Sequence, residues 1–172
     1  NRHYHTLQHL ENLLEQMTEI KAGIQSWDTV LFTLYYHDIV YSSLKSDNEE
    51  KSADQAERRM KQIAVPDEMI EACKTQILAT KSHIKSSDAD TNYFTDADLS
   101  ILGKPWEQYE RYAKNVRKEY SIYPDFLYNQ GRKKVLKHFL ALESIYKTGF
   151  FQEKFEAQAK LNLEREVDLL MR

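Results

Sequence analysis

Apolar residues recur at steps of three and four positions along most of this chain, which is the spacing of one face of a helix. The first such series predicts an amphipathic helix over residues 5–21 that ends before Gly23. Its apolar positions are Leu7, Leu10, Leu13, Leu14, Met17 and Ile20. Residues 30–40 are apolar on nearly every side, which predicts a central helix buried all round, and their only charged residue is Asp38.

Proline, glycine and short clusters of Ser and Asp separate the remaining helical segments. A short helix capped by Thr95 or Asp96 is predicted to run to Leu102, where Gly103 ends it. The other predicted helices cover residues 47–63, 66–83, 105–120, 124–146 and 151–171. With about seven helical segments and no alternating strand pattern, the sequence predicts an all-α helical bundle.

The composition supports this prediction and limits the possible partners. A length of 172 residues predicts a single domain over 1–172, and four glycines and three prolines are few for a strand-rich fold. The 24 basic and 27 acidic residues give a net charge of −3 without a large block of one sign. We therefore expect neither a nucleic acid polymer nor a membrane as a partner.

Two further features predict a cytoplasmic protein. No apolar run approaches the ~18 residues of a membrane span, and the single cysteine, Cys73, has no second cysteine for an internal disulfide. The chain begins with Asn1 rather than Met, so we also expect that residues have been removed upstream.

Histidine and aspartate form three clusters that carry the candidate chemistry. They are His5 with His9, His37 with Asp38, and Asp96 with Asp98. Asp38 is the strongest indication, because an unpaired carboxylate in an apolar run costs several kcal/mol. His37 lies ~100° from Asp38 around the same predicted helix, and His5 and His9, four residues apart, share one helix face. The clusters together predict a site built from several helices.

Each cluster also has an ordinary structural explanation. A core histidine with a satisfied hydrogen bond is commoner than a metal ligand. We expect Asp96 to be an N-cap, whereas a position in the first turn is the weaker explanation for Asp98. Glu49 fits a capping box with Ser46 as well as it fits a role in a site. The three motifs together are nevertheless less expected by chance than any one of them.

These motifs resemble the HD superfamily of metal-dependent phosphohydrolases, in which a His, an adjacent His-Asp pair and a later Asp bind a divalent cation. The similarity runs nearly end to end, through YHTLQH, YYHDIVY, DNEEKSA, TKSH, DADLSILG and YERYAKNVRKEY. These segments are similar to a bacterial branch of predicted HD phosphohydrolases whose substrate is unassigned. The resemblance implies an HD-like bundle around a metal site, with His9, His37, Asp38 and Asp98 as ligands.

The stretch RHYHTLQHL is also similar to the YHNxxHA signature of cyclic-nucleotide phosphodiesterases. In that signature the first His donates a proton to the leaving oxygen and the second binds metal. The resemblance therefore implies that His5 is a proton donor and His9 a ligand. Thr6 replaces the Asn of the signature, and no glutamine-containing purine clamp is recognisable, so a cyclic nucleotide is not the expected substrate.

One divalent metal ion is the expected cofactor, since imidazoles and carboxylates suit Mn, Fe, Co, Ni or Zn, with Mg also compatible. The ion would activate a water as the nucleophile, and Asp38 is expected to accept its proton. The substrate-binding candidates are Arg117, which can fork onto phosphate, and, more weakly, Lys81, His83, Arg2 and Glu49. Arg117 is equally compatible with pairing to Glu119 or Glu110. A second metal at His83 is the less favoured alternative.

The sequence thus predicts a hydrolase that cleaves a phosphate monoester, or a nucleotide phosphate or pyrophosphate bond, in a small metabolite. The alternative is a non-catalytic HD-fold module that binds a nucleotide or a metal as a regulator. Two other helical metalloprotein classes are excluded. None of the six histidines follows a Glu by three residues, as ferritin-like di-iron proteins require, and the HExxH motif of zincins is absent.

Overall fold

The structure, a computed structural model, describes residues 2–171 and contains eight α-helices and no strands over that range. The α-helices are α1 (Leu7–Glu19), α2 (Trp27–Tyr36), α3 (Asn48–Gln62), α4 (Asp67–Ala79), α5 (Ala89–Asp98), α6 (Trp106–Glu119), α7 (Asp125–Leu140) and α8 (Gly149–Leu169). Two 3₁₀ helices cover Lys21–Gly23 and Leu99–Gly103. The all-α prediction is confirmed, with eight helices rather than about seven. None of the helices between residues 2 and 171 has the length and the apolar stretch that a bilayer crossing requires.

The helices form two compact units. The first unit is Leu7–Asp98 and contains α1 to α5. The second unit consists of residues 2–6 and 99–171 and contains α6 to α8. The candidate ligands His9, His37, Asp38 and Asp98 all belong to the first unit.

The core of the first unit lies between α2, α3 and α4. Small residues on α3 let α4 approach closely, and the buried set is Tyr36, Ala53, Ala56, Met60, Ile70, Cys73 and Ile77. Each large aliphatic side chain in such a core contributes ~1.5–3 kcal/mol. Burial raises the pKa of the Cys73 thiol to about 11, so this cysteine is a packing residue and not a nucleophile.

Helix α2 differs from its prediction in length and in burial. It ends at Tyr36 and leaves Leu31 and Tyr35 exposed, so the expected helix over 30–40, buried all round, is wrong. His37 occupies the C-cap and Asp38 follows it outside the helix. The Asp38 side chain keeps 25% of its surface exposed, so the burial cost expected from the apolar run is reduced by solvent.

Helix α5 begins earlier than predicted because a different residue caps it. The Asp88 carboxylate accepts the backbone N–H of Thr91 at 2.8 Å, which is the geometry of an N-cap. Asp96 therefore lies inside α5, fully buried, and its expected role as an N-cap is wrong, as is that of Thr95. Asp98 is the last residue of α5, so its explanation as an acid in the first turn is wrong too.

Helices α4 and α7 end several residues before their predicted ends. The predicted helix over 66–83 ends at Ala79, and His83 adopts a left-handed conformation with φ of 53°. The predicted helix over 124–146 ends at Leu140. Beyond it, the Glu156 carboxylate of α8 accepts the N–H of Ile145 at 2.9 Å and that of Tyr146 at 3.2 Å, which holds both residues outside the helix.

In the second unit, the 3₁₀ helix Leu99–Gly103 packs so tightly against α8 that Gly103 has no room for a side chain. A Cβ at Gly103 would lie 2.5 Å from Phe155 Cβ and 2.6 Å from its carbonyl oxygen. We expect Gly103→Ala to lower the free energy of unfolding by ~1–3 kcal/mol, measured by chemical denaturation.

Gly131 is the matched control for this substitution, because it lies inside α7 with no atom within 4 Å of a Cβ built on it. Gly131→Ala should raise the free energy of unfolding by ~0.5–1 kcal/mol, the helix-propensity difference between the two residues. Equal effects of the two substitutions would contradict the close packing at Gly103.

Candidate metal centre

Three helices of the first unit bring four acidic and imidazole side chains together. His9 lies in the first turn of α1, His37 and Asp38 directly follow α2, and Asp98 ends α5. The two histidines are buried, whereas the two aspartates are partly open to solvent. These are the four ligands that the HD resemblance implies, and they meet although 89 positions separate His9 from Asp98 in the numbering.

The distances among these side chains fit a single cation. His9 Nε2 lies 3.2 Å from His37 Nε2, 3.3 Å from Asp98 Oδ1 and 3.7 Å from Asp38 Oδ2. His37 Nε2 lies 3.1 Å from Asp38 Oδ2 and 3.8 Å from Asp98 Oδ1. Atoms that bind one ion at ~2.1 Å lie ~3.0 Å apart at right angles and ~3.4 Å apart at tetrahedral corners. The His9, His37 and Asp98 ligand atoms all lie within 4.8 Å of one another.

The backbone of α2 fixes which nitrogen of His37 faces the cluster. His37 Nδ1 lies 2.9 Å from the Leu34 carbonyl oxygen, which can only accept, so Nδ1 carries the proton. Nε2 then faces the cluster, where it can present a lone pair to a cation once the ring has lost its second proton. The edge of the Phe94 ring packs against the imidazole at a centroid distance of 5.5 Å, which further fixes the ring.

The electrostatics of the cluster favour a positive charge at its centre. Burial works to lower the pKa of His37, but the carboxylates of Asp38 and Asp98 outweigh it and raise the pKa to about 9. Burial likewise works to raise the pKa of Asp98, but hydrogen bonds from His83 and His9 and the charge of His37 hold it well below its usual range. Asp98 is therefore ionised, and the group of His9, His37 and Asp98 could hold a metal ion.

Two hydrogen bonds connect α5, which carries Asp98, to the segment just before α2, the helix that precedes His37 and Asp38. The Asp90 carboxylate in the first turn of α5 accepts the backbone N–H groups of Gln25 and Ser26, at 2.9 and 2.8 Å, just before α2 begins. Asn92 pairs with the backbone of Ser86 through two bonds of 2.8 Å and closes the loop before α5. These bonds fix α5 relative to the start of α2.

Two predicted substrate-binding residues of the first unit, Lys81 and Glu49, lie close to each other at the protein surface. Lys81 Nζ donates to the Ser46 carbonyl at 2.7 Å, forms an ion pair with Glu50, and lies 3.9 Å from Glu49 Oε2. Asp47 occupies the N-cap of α3, so the capping box of Ser46 and Glu49 does not form. The Lys81 ammonium therefore forms an exposed ion pair with Glu50, with Glu49 close by.

His83 lies beside the cluster and contacts one of its members. Its Nε2 is 3.3 Å from Asp98 Oδ2, the carboxylate oxygen other than the one near His9 and His37. His83 thus lies next to the candidate ligands. The sequence had predicted it as a weaker substrate-binding residue, with a second metal at His83 as the less favoured alternative.

In the second unit, His5 forms a pair with Glu119 that the sequence did not predict. His5 Nδ1 lies 2.7 Å from Glu119 Oε2, while Glu119 Oε1 accepts the backbone N–H groups of His3, Tyr4 and His5 at 2.6, 2.7 and 3.2 Å. Burial works to raise the pKa of Glu119, but His5 and these N–H groups lower it to about 2. Because an ionised carboxylate only accepts, His5 Nδ1 donates to Glu119.

A signal for Glu119 was present in the sequence. It is the last residue of α6, where the helix dipole disfavours a negative charge, and basic residues dominate that turn. An acid at such a position needs a partner with N–H groups. From the sequence, Glu119 was expected only as a possible partner for Arg117.

The guanidinium of Arg117, also in the second unit, has its donors engaged within α6 and the segment that follows. Nε and Nη2 donate to Asp125 Oδ1 at 3.0 and 2.6 Å, while Nη1 and Nη2 donate to the carbonyls of Tyr120 and Tyr123 at 2.9 and 3.0 Å. Asp125 is the acidic partner in these contacts, in place of the expected Glu119 or Glu110. Arg2, the remaining phosphate candidate, is exposed.

No family model matches this chain, and neither a curated protein nor a solved structure does. The likeness to HD phosphohydrolases therefore rests on the sequence motifs alone.

Proposed function

We propose that this protein is a metal-dependent phosphohydrolase that uses the cluster of His9, His37, Asp38 and Asp98. The observation that carries the proposal is the meeting of two buried imidazoles and two carboxylates from three helices, with contacts of 3.1 to 3.8 Å. Asp98 is ionised because hydrogen bonds from His83 and His9 and the charge of His37 favour its anionic form. A bound divalent cation would replace the proton of His37 as the positive charge beside this carboxylate.

Each of the four side chains has a definable task in the proposed site. His9, His37 and Asp98 would hold the cation with Asp38 as a fourth ligand, and the cation when bound would polarise a phosphoryl oxygen and lower the pKa of water. Asp38 is the more exposed of the two aspartates, at 25% against 17% for Asp98. Solvent therefore reaches Asp38, which suits it to accept the proton of the attacking water.

His5 is proposed as the proton donor to the leaving oxygen, with Glu119 holding its ring. The proton at Nδ1 is fixed by the 2.7 Å contact to Glu119, so the transferred proton resides on Nε2. Lys81 and Arg117 already contact acidic side chains, so a phosphate would have to compete with Glu50 or Asp125 for them. This favours a small phosphate monoester or nucleotide over a polyanion that needs many free cations.

We expect the purified protein to bind about one divalent transition metal ion per chain and to release phosphate from small phosphorylated metabolites. Elemental analysis after loading with Mn²⁺, Co²⁺, Ni²⁺ or Zn²⁺ measures the stoichiometry. A panel of sugar phosphates and nucleotides, assayed with each of these ions and with Mg²⁺, measures turnover.

The outcomes of this experiment separate the two functions that the sequence allows. Metal binding with phosphate or pyrophosphate release supports the hydrolase. Stoichiometric metal without turnover on any substrate favours a regulatory module that binds a nucleotide or a metal. A stoichiometry near zero, with no thermal stabilisation by these ions, contradicts both.

A further inference from the structure

We propose that His83 is a positioning residue that holds the Asp98 carboxylate by one oxygen so that the other faces His9 and His37. This role rests on the proposed metal site and adds to it a side chain that binds no metal. The geometry divides the two oxygens of Asp98 between two sets of partners. Oδ1 lies 3.3 Å from His9 Nε2 and 3.8 Å from His37 Nε2, whereas Oδ2 lies 3.3 Å from His83 Nε2.

A carboxylate on a metal can bind through one oxygen or both, and a hydrogen bond to the outer oxygen selects the first mode. An ionised Asp98 only accepts hydrogen bonds, so His83 Nε2 must donate the bond to Oδ2. That bond restrains rotation of the carboxylate about its bond to Cβ. Outer partners of this kind orient ligands and raise metal affinity, and their removal typically weakens binding ~10- to 100-fold.

The backbone at His83 provides an independent observation. Its φ of 53° is the left-handed conformation that favours glycine, with asparagine tolerated. His83 N–H donates to the Ala79 carbonyl at 2.9 Å, so the residue closes the turn that follows α4. Histidine is, with asparagine and aspartate, among the non-glycine residues that adopt this conformation most readily, so the turn after α4 can carry an imidazole that contacts Asp98.

The chain offers a matched control at the end of α3. Ala64 has a φ of 57° and is the other residue apart from glycine with a positive φ in the described range. Its methyl group takes no part in the cluster. Replacing either residue with glycine relieves the same backbone strain, but only the replacement at His83 removes a hydrogen bond to Asp98.

The experiment compares His83→Gly, His83→Asn and Ala64→Gly with the wild-type protein. Thermal unfolding of the metal-free proteins reports the backbone effect, and calorimetric titration with Co²⁺ reports affinity and stoichiometry. We expect both glycine variants to unfold at or above the wild-type temperature. His83→Gly should bind Co²⁺ ~10- to 100-fold more weakly at unchanged stoichiometry, while Ala64→Gly binds it normally. His83→Asn, which keeps a donor and tolerates the backbone, should recover part of the affinity.

The results that overturn this role differ from those that overturn the proposed function. Wild-type Co²⁺ affinity in His83→Gly, or equal losses in the Gly and Asn variants, would refute the hydrogen bond to Asp98 while leaving the hydrolase intact. Loss of one of two bound ions in His83→Gly would make His83 a ligand of a second metal instead. Absence of metal binding in the wild-type protein would refute the metal site itself and this role with it.

Discussion

Replacing His37 with Ala should remove metal binding and lower turnover by at least ~10³-fold. The substitution deletes the nitrogen that contacts both His9 Nε2 and Asp38 Oδ2, at 3.2 and 3.1 Å. A bound ion contributes several kcal/mol to stabilisation of the transition state, and each 1.36 kcal/mol corresponds to a tenfold change in rate. Elemental analysis and steady-state turnover on the best substrate of the panel measure the two losses together.

The control for this prediction is His138→Ala. His138 is exposed in the last turn of α7, so its replacement should leave metal content, turnover and stability within error of the wild-type protein. Because His37 is buried, unfolding of the metal-free His37→Ala protein must also be measured to show that it still folds. A folded His37→Ala protein that retains one ion per chain would show that the donor set is wrong.

The boundaries of helices were predictable where local sequence decides them. Three- and four-residue periodicity placed α1, α3 and α6 within about two residues of their observed ends. The largest error at a C-terminus is at α7, whose end depends on Glu156, a residue of the next helix that binds the backbone of Ile145 and Tyr146. Such a contact is formed by the folded chain, and no local pattern reveals it.

The start of α5 was mispredicted for a different reason. The segment around it contains several residues that can cap, and the sequence favoured Thr95 or Asp96 over Asp88. In the structure Asp88 caps α5 by accepting the N–H of Thr91. The residues that follow Asp88 are buried, and Asp90 binds the backbone that precedes α2, so the helix must begin before them. The same shift moved Asp96 from the expected helix start to a buried position.

The candidate ligands were easier to predict than their surroundings. Histidine and aspartate in apolar segments are unusual enough to mark the clusters, and the resemblance to HD phosphohydrolases then implied which of their members are ligands. The partners that orient them were not, because each depends on which distant side chain meets which. His5 and Glu119 are 114 residues apart, and His83 reaches Asp98 from the loop after α4.

His5→Ala is expected to leave metal content unchanged and to slow turnover by ~10²- to 10⁴-fold, the usual contribution of a positioned general acid. His5 is the proposed donor to the leaving oxygen, whereas His9, four residues later, is a proposed ligand. His9→Ala should therefore empty or weaken the metal site. Metal analysis of the two variants distinguishes these roles.

The identity of the leaving group tests whether His5 donates a proton. Nitrophenolate leaves with little protonation, so His5→Ala should lose less rate on p-nitrophenyl phosphate than on a sugar phosphate. Equal losses on the two substrates, with metal retained, would mean that His5 positions the phosphate instead. Loss of metal from His5→Ala would make His5 a ligand and overturn the assignment taken from the phosphodiesterase motif.

Glu119→Gln completes this prediction, because Glu119 acts on the reaction only through His5. The amide keeps the size of the carboxylate but no longer fixes the proton on Nδ1, so the rate on a sugar phosphate should fall less than in His5→Ala. In the double variant the two losses should not add, since Glu119 has no effect once the imidazole is gone. Additive losses would show that Glu119 supports turnover by stabilising the backbone of His3, Tyr4 and His5, whose N–H groups it accepts. Thermal unfolding of each variant measures that structural contribution. A role through His5 is recognised separately, because only such a role changes the dependence of the rate on the leaving group.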